Sequence, residues 1–187
     1  MDTFLLCFVL VFAIALGGRD QVIVARLAET LERSVALLML GAVCAAISAG
    51  VMTWAGMALA QIMPPRAAEM LVAFALATAA VELLWPVKLK GMDEPTRSLG
   101  AIGLVLLARQ VGDAARFIVF AFAAGATYPL TSALGGASGG FAAVALGWVM
   151  GSDLEAKLPL RAIRITMAVC LIVAAIFIGL NARYDLY

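Results

Sequence analysis

Six apolar stretches, each long enough to cross a lipid bilayer, constrain this chain more than any other feature. They run over residues 3–27, 34–62, 67–86, 99–124, 131–151 and 161–181. A membrane helix needs about 20 apolar residues. Within hydrocarbon each backbone N–H and C=O must be satisfied inside the segment, which leaves helices. The expected fold is all-α: a polytopic membrane protein of six transmembrane helices, with residues 1–187 as one membrane domain and the lipid bilayer as its partner. Soluble domains carry about a quarter charged residues, whereas this chain carries 13% and a net charge of only +1. That balance gives no bulk electrostatic basis for binding nucleic acid. The first run opens Met1-Asp2-Thr3 without a basic n-region, so it is expected to stay as a helix rather than be cleaved.

Lysines and arginines set the expected orientation. Arg33, Lys88, Lys90, Arg97, Lys157, Arg161 and Arg164 fall in the 1–2, 3–4 and 5–6 connections, against Arg66 and Arg183 on the other side. The positive-inside rule then places those three connections in the cytoplasm. The expectation is a multi-pass protein of the cell (inner) membrane with both termini outside the cytoplasm. Its longest polar connection, residues 87–98, separates a first half (1–86) from a second (99–187).

The halves match each other. A gapless shift of 95 residues superposes Gly17 on Gly112, Gly41-Ala42 on Gly136-Ala137, Gly56 on Gly151, Pro64 on Pro159 and Arg66-Ala67 on Arg161-Ala162. Each half holds three helices, an odd number, so the second copy enters the membrane from the opposite face. Inverted repeats of this kind build many transporters, with the site near the midplane at the repeat interface. At that depth lie "ALGGRDQ" (15–21) and "QVGDAAR" (110–116). A charge at the bilayer centre costs at least about 2.5 kcal/mol, so Arg19, Asp20, Asp113 and Arg116 are expected to face the bundle interior. Gly17 and Gly112 would let each helix loosen. Asp20, Gln21, Gln110 and Asp113, with Arg19, Gly17 and Gly112, form the expected transport site. Asp20, Gln110 and Asp113 are its candidate metal ligands. Arg109 lies four residues before Asp113 and Arg116 three after, a spacing that shares one helical face.

At these residues the chain resembles the transmembrane protein 165 (Gdt) family, also called uncharacterised protein family 0016. The family's mark is Glu-x-Gly-Asp-(Lys/Arg)-(Thr/Ser), often followed by Gln, once in helix 1 and once in helix 4. Gly17, Arg19 and Gln21 match the first copy, and Gly112 and Asp113 the second. "LGGASGGFAAVALGWVMG" (134–151) is similar to the family's fifth helix. Ala15 and Gly18 stand where the family has Glu and Asp, Asp20 stands at the Thr/Ser place, and Gln110 replaces Glu. The resemblance implies a six-helix antiporter exchanging calcium or manganese for protons, with no cofactor and no enzymatic chemistry. A homodimer is compatible with it. Two carboxylates and two amides are few ligands for a hard divalent cation. An exporter of an anionic or zwitterionic solute, or a non-transporting scaffold, therefore stand as alternatives.

Other features read as packing. "GASG" (136–139) matches the serine motif of rhomboid proteases, but the chain has no histidine to activate a nucleophile. Small residues at that spacing are ordinary helix–helix contacts. Cys7, Cys44 and Cys170 read as buried thiols. Glu82 reads as a residue snorkelling to the interface, and Arg26, Glu29, Glu32 and Arg33 as a solvated pairing set at a helix end.

Overall fold

The computed structural model describes residues 2–86, 98–110 and 112–184. The expected linker lies almost wholly outside them. Among the described residues there are helices and no strands: α1 (Asp2–Ala15), α2 (Arg19–Thr30), α3 (Val35–Ile62), α4 (Pro65–Leu84), α5 (Leu99–Gln110), α6 (Ala114–Gly125), α7 (Pro129–Met150), α8 (Asp153–Lys157) and α9 (Leu160–Tyr184). Of these, α3, α4, α7 and α9 are long and apolar enough to cross a membrane, and the α1–α2 pair makes a fifth candidate if taken as one span.

The difference from six continuous spans has a local cause. The first expected helix breaks at residues 16–18 and bends by 65°. Gly17 sits at φ +72°, a left-handed conformation open to glycine at little cost. The fourth breaks after Gln110 and restarts at Ala114, leaving two helices of 12 residues each. Helix starts elsewhere follow proline: Pro65 and Pro129 occupy the first turns of α4 and α7, where a missing N–H costs nothing. The element limits repeat at the sequence offset of 95 residues. Ala15 and Gln110 end α1 and α5, Arg19 and Ala114 begin α2 and α6, and Pro65 and Leu160 begin α4 and α9.

Helix directions follow from the glycine contacts. A Cβ added at Gly135 would meet the Phe4 carbonyl at 2.6 Å, and one at Gly139 the Phe8 carbonyl at 2.6 Å, so α1 runs parallel to α7. Gly41 packs on Val144 while Gly140 packs near Ala45, so α3 and α7 run antiparallel. Gly103 meets Leu40 and Cys44, and Gln110 further along α5 meets Ser48 further along α3, so α5 runs parallel to α3. The α1–α2 and α5–α6 pairs therefore traverse the bundle in opposite senses. Cys7 and Cys44 are buried, but Cys170 is exposed on the outer face of α9. The glycine stripe of α7 does serve close packing. Gly139→Leu is expected to force α1 off α7, because backbone cannot yield as a side chain can. Overpacking costs about 1–3 kcal/mol even where side chains can adjust, so at least that loss should appear in the unfolding free energy or melting temperature in detergent.

Candidate functional site

The two helix breaks meet at the level of the middles of α3 and α7. Gln110 Nε2, at the end of α5, donates to Asp20 Oδ2 in the first turn of α2 at 3.2 Å. Ser48 Oγ, halfway along α3, lies 2.8 Å from Gln110 Oε1, which turns the amide nitrogen towards Asp20. The other Asp20 oxygen accepts from the Gln21 N–H at 2.9 Å. Gln21 ties its own break to α7: its Oε1 accepts from the Gly17 N–H at 2.7 Å and its Nε2 donates to the Ala143 carbonyl at 2.8 Å. A Cβ at Gly18 would stand 2.9 Å from Asp20 Oδ1. The Asp20 carboxylate thus reaches back into the space beside position 18.

Between the breaks lies a chamber of about 50 Å³ lined by Arg19, Asp20, Glu82, Arg109, Gly112 and Asp113. A buried water needs about 10–15 Å³ of such volume, so the chamber suits a few waters or one small ion. Its lining carries three carboxylates and two guanidiniums, and Arg164, paired with Glu82 from behind the wall, balances the formal charge of the cluster. Asp113 is buried and its Oδ2 has no hydrogen-bond partner among the described residues. A buried carboxylate oxygen in that condition is costly unless a cation, proton or water meets it. Asp20, Gln110 and Asp113 are brought together, with Gly17 and Gly112 at the breaks behind them. Among the described residues no group of three or more Asp, Glu, Cys or His side chains stands as a metal-ligand set.

The arginines depart from the helical-face expectation. Arg109 belongs to α5 and Arg116 to α6, with the break between them and Asp113 at the N-cap of α6. The i±3 and i±4 geometry holds only within one helix, and no ion pair joins Asp113 to either arginine among the described residues. Arg116 is 1% exposed and reaches away to α7, its guanidinium filling the space beside Gly140, with Nε and Nη1 unpartnered. Among the described residues, Arg19 and Arg109 also make no hydrogen bond or ion pair. Both line the chamber and a wider cleft of about 590 Å³ bounded by Val81, Leu84, Trp85 and Pro86. The chamber therefore has a mouth at the end of the bundle where α4 finishes.

Two residues at the chamber wall were not visible as such in the sequence. Glu82 lines the chamber instead of snorkelling, and it pairs with Arg164, whose Nη2 lies 3.3 Å from Glu82 Oε2. Arg164, counted above as a connection residue, is buried and also donates to the Gly17 carbonyl at 3.4 Å. Opposite charges set just inside the ends of two neighbouring helices were the available signal. At the helix end, Arg26 pairs with Glu155 and Glu29 accepts from the Ser152 N–H, so these residues bind the connection after α7 and not one another. No family model, curated protein or solved structure matches this chain, so its function is argued from its own geometry.

Proposed function

We propose that this chain is a secondary transporter that carries a small cation through the Asp20–Glu82–Asp113 chamber. The observation that carries the reading is a small chamber lined by carboxylates, holding a buried carboxylate oxygen without a partner among the described residues, at the junction of two interrupted helices. Interrupted helices at the interface of two repeats are the usual setting of such sites. The 95-residue register of helix limits and the opposed directions of the two pairs support an inverted repeat. In that reading α1–α2 and α5–α6 each make one span, completing six. The lysine and arginine bias puts the chamber mouth on the cytoplasmic side of the inner membrane and both termini outside. Calcium or manganese as cargo, exchanged for protons, comes from the family resemblance.

The test is uptake into proteoliposomes under an imposed pH gradient, with calcium and manganese as cargo. Saturable uptake that collapses with the gradient and is lost in Asp20→Asn is the expected result. Protein that is folded and reconstituted yet moves neither ion would overturn the reading. A second reading, export of an anionic or zwitterionic solute, is supported by Arg19 and Arg109, which line the mouth without partners among the described residues. Guanidinium forks suit carboxylates and phosphates. Gradient-driven flux of amino acids or phosphate, lost in Arg19→Gln, would put that reading first.

A further inference from the structure

The cleft of about 590 Å³ at the chamber mouth is basic where the chamber is acidic. Arg19 and Arg109 line it with Val81, Leu84, Trp85 and Pro86, and no carboxylate stands among the described lining residues. Arg109 is exposed and Arg19 half-buried, and among the described residues neither guanidinium has a partner. Arg19 opens α2 and Arg109 lies one residue from the end of α5, so the positive end of one helix dipole meets the negative end of the other. The local field is then that of the two guanidiniums. At the end of α4 the Leu84 carbonyl accepts from Arg161 Nη1 at 2.9 Å, which engages that arginine. The exposed side chains around the pair are apolar: Val81 and Trp85 on α4, Leu104 and Val105 on α5. Two unpaired cations thus stand within an apolar surface, where a charge is expensive unless an opposite charge meets it.

We infer that this cleft holds the phosphodiester headgroup of an anionic phospholipid, with an acyl chain laid along the exposed side of α4. The inference rests on the membrane reading of the fold and not on the identity of the cargo. Guanidinium forks bond phosphate oxygens in pairs, and basic pockets between membrane helices bind lipid headgroups. The cleft lies within the range of about 300–1,000 Å³ typical of small-ligand sites. The chamber behind it, at about 50 Å³, admits only waters or an ion. Trp85 stands exposed at the end of α4, and an indole is suited to headgroup level. Val81 and Phe74, seven residues apart on one face of α4 and both exposed, continue from it as an apolar track. A soluble anion would use the two arginines alone, whereas a lipid uses the arginines, the indole and the track together. Bound there, the headgroup neutralises two guanidiniums that also line the chamber, so the field at the chamber carboxylates follows lipid composition.

The test uses the full chain with Trp54→Phe and Trp148→Phe, which leaves Trp85 as its one tryptophan, in phosphatidylcholine vesicles. Brominated phosphatidylglycerol or brominated phosphatidylcholine is added to quench Trp85 fluorescence. Half-maximal quenching should need about 25-fold less of the anionic lipid, from about 5-fold for each of two arginines. Arg19→Gln with Arg109→Gln should abolish the preference. Arg33→Gln, at an exposed arginine outside the cleft, should leave it intact. Arg109→Gln alone should keep a preference of about 5-fold, and it serves should the double variant fail to fold. Equal quenching by the two lipids in the parent, or the same loss of preference in Arg33→Gln, overturns the inference. So does displacement of the brominated lipid by inorganic phosphate at constant ionic strength, which gives the cleft to a soluble anion. Lipid preference without calcium or manganese flux leaves the headgroup site standing and removes the cation reading; flux without lipid preference does the reverse.

Discussion

Asp113→Asn should cut transport sharply while leaving the protein folded. The substitution keeps the shape of the side chain and, among the described residues, breaks no hydrogen bond to Oδ2 and no ion pair. What it removes is the charge offered to the chamber. A hydrogen bond or contact to a charged group is worth about 1.5–3 kcal/mol, so flux should fall by roughly 10- to 150-fold. Were Asp113 the counter-ion of a buried arginine, the same change would cost about 3–5 kcal/mol of stability. Thermal unfolding in detergent, measured beside flux in proteoliposomes, separates the two. A strongly destabilised variant would assign Asp113 to the scaffold.

The largest loss of stability is expected from Arg164→Gln. Its guanidinium, whose side chain is 4% exposed, neutralises a Glu82 side chain that is 16% exposed. It also bonds the carbonyls of Glu82 and Gly17. Removing one partner of a buried pair leaves the other charge stranded, at about 3–5 kcal/mol. Glu82→Gln added to Arg164→Gln should recover most of that loss, because the stranded charge is then gone. A single variant that melts within about 1 kcal/mol of the parent would show the pair to behave like a surface salt bridge. A double variant no better than the single would place the stabilisation in the two carbonyl bonds instead.

How far the sequence could be read depended on whether a feature was local. The four long helices were legible because about 20 apolar residues in a row have few other options, and their ends fall close to the proline and charge punctuation. The meeting of Asp20 with Gln110 was legible from depth alone, as both lie at the same distance along their spans. The breaks were only half legible: Gly17 and Gly112 signalled loosening, but a helix interrupted at its centre also dissolves any argument from residue spacing across it. Arg109 and Arg116 show the consequence, since the spacing that would bring both to Asp113 spans a break. Glu82 and Arg164 were hidden for a different reason. Each sits near a helix end, where a lone charge reads as interfacial, and only the packing of α4 against α9 makes them a buried pair.

The size of the chamber bears on which ions could use it. At about 50 Å³ it holds a few waters, fewer than the six that surround a fully hydrated divalent ion. A cation arriving there has shed part of its shell and replaced it with carboxylate oxygens. Magnesium gives up water reluctantly and demands near-ideal octahedral geometry, while calcium accepts six to eight oxygens in irregular arrangements. In the cation-transport reading, a chamber this narrow, with carboxylates fixed on separate helices, would sort ions by the ease of dehydration before charge is weighed at all.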